Sequence, residues 1–196
     1  QRSERTRFLA AKSALVLAEL LYEQFAAHEV LQPLEQNLAE KQARMDAAMA
    51  AFEQLVEYEV GEVTAAATYY IAEIFYDFSA ALLGSERPTG LSAAESQEYE
   101  LMIEDEAYPF EEQAIEVHEK NVELMAVGVY NPWVQSSLDK LSALMPGRYA
   151  KNEISSGFVG SIDFYAYRMP IVPEDPANES GVEMAAVDGS PAPSAS

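Results

Sequence analysis

Apolar side chains recur along the first part of the chain at intervals of three, four and seven residues, the spacing that gathers them on one side of an α-helix. Over residues 3–31 the set is Phe8, Leu15, Ala18, Tyr22 and Phe25, with no glycine or proline among them. Pro33 punctuates the pattern, because proline is tolerated only near a helix start. A second helix is predicted from there to about Val60, with Met45, Ala48, Phe52, Leu55 and Val56 on one side. Gly61 behind it suits a left-handed C-terminal cap. A third helix, over residues 62–83, turns Ile71, Ile74, Phe75, Phe78 and Leu82 towards a core before Gly84 and Pro88 end it.

The next start signal is local chemistry. Ser92 followed by Glu95 forms a capping box, the serine accepting from the third amide and the glutamate reaching back. A helical pattern continues to about Val127 and is interrupted by Pro109. Pro109 either bends one long helix or opens a separate helix after a break near Tyr108; the bend is preferred. Gly128 closes the pattern. Asn131 then stands as N-cap with Pro132 at the first helical position, and this fifth helix ends near Met145, ahead of Pro146 and Gly147. Beyond it the period changes. GFVGSIDFYAYRMPIV alternates as an extended segment, with Phe158, Ile162, Phe164 and Tyr167 as anchors against the last helices. Residues 174–196 hold too little apolar surface to offset the entropy of ordering and are expected to be a disordered acidic tail. The expected organisation is a helical-hairpin domain over 1–146, an extended cap over 147–173 and the tail.

Counting from the glycines that close helices two and four reveals an internal correspondence. Ten, thirteen and seventeen residues after Gly61 stand Ile71, Ile74 and Phe78; at the same offsets after Gly128 stand Leu138, Leu141 and Met145. Upstream, AFEQLVEYEVG is similar to AIEVHEKNVELMAVG, the latter longer by about one helical turn. Each unit is helix, glycine, helix, which marks stacked hairpins that bury their apolar faces only against neighbours. The fold expected is all-α: stacked antiparallel helical hairpins in a tetratricopeptide-like α-solenoid, with a C-terminal extended segment.

These hairpins are alanine-rich, and proline closes them in SERP and LMP. The runs VGEVTAAATYYIAEIFYDFSAALLGSERP, AYPFEEQAIEVHEKN and VYNPWVQSSLDKLSALMPGRYAKNE together resemble the C-terminal part of long, divergent tetratricopeptide-repeat proteins of the bacterial cell envelope. The resemblance covers residues 40–153. That family accompanies Exb/Tol–Ton-type energy-transduction components and has gliding-motility relatives. The resemblance implies a non-enzymatic protein–protein interaction scaffold, periplasmic or outer-membrane-associated, that helps assemble a larger complex. Its partners would be other proteins, among them energy-transduction or motility components. It supplies no ligand.

Charge narrows the partners further. The 196 residues carry a net charge of −21, which repels phosphate backbones and anionic headgroups and argues against nucleic acid. Only the first dozen residues are basic, through Arg2, Arg5, Arg7 and Lys12. There is no cysteine, so disulfides, thiolate zinc sites and cysteine nucleophiles are excluded, while the compartment is left open. No run approaches the ~20 apolar residues of a membrane helix; the best candidate is broken by Lys12, Glu19 and Glu23. Gln1 starts inside a helical pattern, as in a processed form or a piece of something longer. Loss of upstream repeats would expose apolar surface and favour self-association.

The stretch AYPFEEQAIEVHEKN, residues 107–121, is the one candidate for acid–base or metal chemistry. At about 100° per residue, Phe110, Ala114, Val117, Asn121 and Leu124 share one face, while Glu112, Glu116, Glu119 and Glu123 lie nearly opposite. That is a solvated acidic stripe. A carboxylate-bridged metal centre wants Glu-x-x-His on two helices, but Phe25 and Ile115 stand three residues before His28 and His118. His118 is expected on the flank of the apolar face, and His28 beside a helix end as a dipole partner. Phosphate-binding, zinc-protease, calcium-loop and nucleophile-elbow motifs are missing. No cofactor is implied.

What remains is binding. In such a stack the first helix of each hairpin lines the concave surface. Tyr69, Glu73 and Tyr76 form a stripe on helix three, with Ser136 and Lys140 at the repeat-equivalent places of Tyr69 and Glu73. Tyrosines beside charges suit peptide contact, although they would also suit packing between adjacent helices, as Trp133 does. Two other readings stay open: a structural subunit of a homo- or hetero-oligomeric assembly or filament, and a metal-dependent helical-bundle enzyme.

Overall fold

A computed structural model describes residues 3–150. The order is α1 (Glu4–Ala26), α2 (Leu34–Val56), α3 (Gly61–Leu83), α4 (Ala93–Glu123), a 3₁₀ turn (Leu124–Val127), α5 (Pro132–Leu144) and a single turn, α6 (Pro146–Tyr149). The fold is all-α, and among the described residues there is no strand. The extended segment and the acidic tail expected from the sequence lie outside the described residues. The helical unit runs on through α6, past the expected boundary at residue 146.

Consecutive helices form antiparallel pairs. Near the turn between α1 and α2, Lys41 reaches back to Phe25 and His28, donating to their carbonyls at 2.7 and 2.9 Å. Between α3 and α4, Phe78 in the last turns of α3 packs on Phe110 in the middle of α4, ring centroids 4.6 Å apart, while Asn121 near the end of α4 reaches Ala65 near the start of α3. The first helices of successive hairpins run parallel. Lys12 of α1 pairs with Glu62 of α3, and Tyr22 with Asp77. Tyr69 of α3 meets Trp133 of α5, and Glu73 meets Lys140. The Glu73–Lys140 pair joins the positions that the glycine alignment matches, so the register of the internal correspondence is also the packing register. Hairpins stacked through parallel first helices make a helical-repeat fold.

The core follows the apolar periodicity. Leu15, Ala18, Phe25, Met45, Ala48, Phe52, Leu55, Ile74, Phe78 and Leu82 are buried. Ile71 and Phe75 pack against them half-buried. Phe8, in the second turn of α1, and Val56, which closes α2 one position past the buried Leu55 and off its stripe, are exposed although expected in the core. α3 is the central helix, packed by α1, α2, α4 and α5. Its run of small residues allows this: Ala65, Ala66, Ala67 and Ala72 are fully buried, so neighbouring backbones approach closely.

The helix ends explain two differences from expectation. α2 stops at Val56, and the left-handed residue behind it is Glu59, with φ of 52°; Gly61 instead opens α3. Gly128 does take the left-handed conformation, with φ of 82°. The capping box is formed, with the Glu95 amide 3.4 Å from Ser92 Oγ and the Ser92 amide donating to Glu95 Oε2 at 2.8 Å. α4 is continuous through Pro109, which excludes a separate helix opening there. Pro109 sits on the exposed side, where the lost amide donor leaves its carbonyl acceptor to water.

Candidate functional site

The predicted stripe is brought together, but its members differ in what they can offer. Tyr69 and Tyr76 on α3, and Ser136 and Lys140 on α5, are half-buried along one side of the parallel helix pair. Tyr69, Ser136, Asp139 and Lys140 line a shallow cleft of about 310 Å³. The Lys140 ammonium lies 4.5 Å from the centre of the Tyr76 ring, which links the tyrosine to the cleft.

Glu73 does not present its carboxylate on that stripe. It is only 6 % exposed and turns inward. Glu73 Oε2 accepts from Lys140 Nζ at 2.7 Å, and Oε1 lies 3.2 Å from His118 Nε2, close enough for an ion pair but without hydrogen-bond alignment. The physical reason lies in the position of Glu73 on a helix packed by four others. Burial alone would raise its carboxyl above the usual range. The partners His118 and Lys140 outweigh that effect, and the group is held below its ordinary value.

Behind Glu73 is a polar network that the helix-by-helix reading did not assemble. His118 Nδ1 is 3.2 Å from Ser137 Oγ, and Asn121 Nδ2 donates to Ser137 Oγ at 2.8 Å and to the Ala65 carbonyl at 3.1 Å. His118, Asn121 and Ser137 are fully buried. The serine hydroxyl accepts from Asn121 and shares a hydrogen bond with Nδ1, which turns the other ring nitrogen, Nε2, towards Glu73. Serine, histidine and glutamate thus lie in series, in the order familiar from nucleophilic hydrolysis. All three are buried, and together they join α3, α4 and α5 as a polar brace.

A chain of rings runs alongside. Tyr69 lies between Trp133 and His118, with centroids 5.5 and 5.6 Å away, and Tyr70 contacts Trp133 at 5.3 Å and stacks on Phe52 at 4.9 Å. Tyr69 therefore packs between helices and lines the cleft as well. Burial, followed by the nearby Glu73 and Asp77 carboxylates, pushes its phenol up to about 12. Tyr22 donates to Asp77 Oδ2 at 2.6 Å, closing a second polar bridge between α1 and α3.

The two histidines and Lys41 show what a one-helix reading can reach. His118 stands on the flank of the apolar face, and neighbours from α3 and α5 complete its burial. His28 lies beyond the end of α1, with Nε2 3.3 Å from the Asn37 carbonyl, and does not serve the α1 terminus. Lys41 does, through its two carbonyl bonds and its 4.2 Å approach to the Phe25 ring. Its signal was in the sequence: Lys41 precedes Met45, Ala48, Phe52 and Leu55 at helical spacing, a lysine on an apolar stripe. Burial lowers its ammonium below the ordinary value.

On the outer side of α4, Glu112, Glu116 and Glu123 are exposed and Glu119 is half-buried, bonded by Arg148 at 2.6 Å and by Tyr149 at 2.8 Å. No helix among the described residues is long and apolar enough to cross a membrane. Comparison of the chain with protein-family models, with curated proteins and with solved structures gave no match.

Proposed function

We propose that this chain is a non-enzymatic protein–protein interaction scaffold of the bacterial envelope, which binds a segment of another protein along the α3–α5 face. The observation that carries the reading is the braced stripe: Tyr69, Tyr76, Ser136 and Lys140 stand part-exposed on parallel helices locked together from behind by Glu73, His118, Asn121 and Ser137. A rigid surface loses little entropy on binding, and tyrosines supply contact area at low conformational cost. Lys140 and Asp139 set opposite charges at the rim, which suits an extended segment carrying hydrogen-bonding groups and either charge. The resemblance to divergent tetratricopeptide-repeat proteins of the envelope supports the compartment and the class of partner. Energy-transduction or motility components are the candidates.

In this role Glu73 positions Lys140 and does not touch the partner. The test is co-purification from the envelope of the native host, comparing the natural chain with Tyr76→Ala and Lys140→Glu. Helical content is checked by circular dichroism. Loss of the same discrete protein from both variants, with folding unchanged, is the expected result. Retention of every co-purifying protein by both variants would refute the assignment of this face.

A further inference from the structure

The outward side of α1 carries an apolar stripe that no described residue covers. Leu9, Val16 and Leu20 are about half exposed, at 55 %, 55 % and 48 %, and Leu17 beside them at 64 %. With Ser13, they recur at 9, 13, 16 and 20, the alternating four–three spacing of a helix–helix seam. Ser13 does not spoil the seam, because its hydroxyl donates to the Leu9 carbonyl at 2.9 Å within the same helix. The side of α1 that faces α3 is distinct and already occupied: Lys12, Glu19 and Tyr22 bond to Glu62, Tyr70 and Asp77.

Charge indicates what fits this seam. α1 has three basic residues, Arg5, Arg7 and Lys12, all in its first half; of its three acids, Glu19 and Glu23 lie in the second half and Glu4 at the start. The helix is neutral in a molecule of net charge −21. α4, by contrast, carries eleven acidic residues and one lysine, so copies of the chain repel one another through that side. The polarity along α1 is self-complementary under reversal. At about 100° per residue, Arg5 and Glu23 fall on the same flank of the seam. Two α1 helices lying antiparallel about a two-fold axis therefore set Arg5 of each beside Glu23 of the other. In that register Leu9 meets Leu20, and Ser13 meets Val16.

We infer that α1 is a homodimerisation helix, pairing antiparallel with the α1 of a second copy through Leu9, Ser13, Val16 and Leu20. The pairing is isologous, the arrangement that closes at two copies. It uses a surface separate from the α3–α5 face and does not depend on the partner proposed there.

The absence of cysteine from the chain makes the geometry directly testable. A mixture of Leu9→Cys and Leu20→Cys proteins should cross-link between positions 9 and 20 with a short thiol reagent. Either protein alone should not, since its two thiols would sit about 16 Å apart along the axis. In sedimentation equilibrium, Leu20→Glu should abolish the dimer and Arg5→Glu should weaken it about tenfold or more through like-charge contact. The double variant Arg5→Glu, Glu23→Arg should restore it. Cross-links of 9 to 9 would overturn the antiparallel pairing. A monomer at all concentrations up to millimolar would overturn the dimer, and shielding of the position-20 thiol in that monomer would assign the seam to other residues of the same chain.

Discussion

Replacing Glu73 with glutamine and Lys140 with methionine, singly and together, measures whether the polar brace joins α3 to α5. Glutamine keeps the shape and an acceptor for His118; methionine keeps the stem over Tyr76. What the pair of changes isolates is the 2.7 Å contact between carboxylate and ammonium. An exposed ion pair contributes at most ~1 kcal/mol, whereas breaking a buried pair costs ~3–5 kcal/mol. Glu73 is enclosed, with 8 % of its side chain exposed, and Lys140 retains 32 %, so solvent screens one end of the contact. A coupling energy of ~1–2 kcal/mol is therefore expected, close to the low end for a charge-assisted hydrogen bond. Glu73→Gln alone should destabilise by ~1.5–3 kcal/mol. Urea unfolding followed by circular dichroism supplies the four stabilities, and an unchanged urea dependence certifies that only stability moved. Coupling below ~0.5 kcal/mol would place Glu73–Lys140 among ordinary surface pairs and refute the brace.

Because the Glu73 carboxyl is held below its ordinary value of 4.5, its contribution is complete above that pH and drains away as pH falls through the lower folded value. The acid side of the stability profile should be shallower in Glu73→Gln, as read from thermal melts between neutral and acid pH. Tyr69 and Tyr70, both pushed up to about 12, should ionise later than exposed tyrosines in an ultraviolet titration, and denaturant should erase the late step. Their contribution is present below the ordinary value of 10.0 and lost as pH rises towards the folded value. Lys41→Met should cost ~1–3 kcal/mol by removing the charged donor from the Phe25 and His28 carbonyls, of which Phe25 keeps only backbone amides, and hydrogen exchange should quicken at the end of α1. Asn131→Ala should cost ~1 kcal/mol, since its side chain accepts from the Trp133 and Val134 amides at the start of α5.

Features governed by a few neighbouring residues were legible in the sequence. The capping box at Ser92 and Glu95, the Asn131–Pro132 start and the left-handed Gly128 each depend on chemistry within one turn. The apolar stripes of α1 to α3 were legible for the same reason, and the correspondence around Gly61 and Gly128 anticipated the Glu73–Lys140 register. Gly61 itself was misread because Glu59 takes the strained turn in its place. The buried state of Glu73 could not be seen along α3, since its partners come from α4 and α5, forty-five and sixty-seven residues later. Ser137 gave no signal at all: a serine on a short helix is unremarkable until His118 and Asn121 stand beside it. The continuity of α4 through Pro109 was a matter of which side of the helix faced solvent, settled by packing against α3.

The most direct test of the scaffold reading is photo-crosslinking in the envelope of the native host with probes at two positions, Tyr76 on the α3–α5 face and Glu116 on the outer acidic side of α4. A discrete partner band from Tyr76, missing from Glu116 and lost with Lys140→Glu, is the predicted result. The same bands from both positions, or bands from Glu116 alone, would contradict the account.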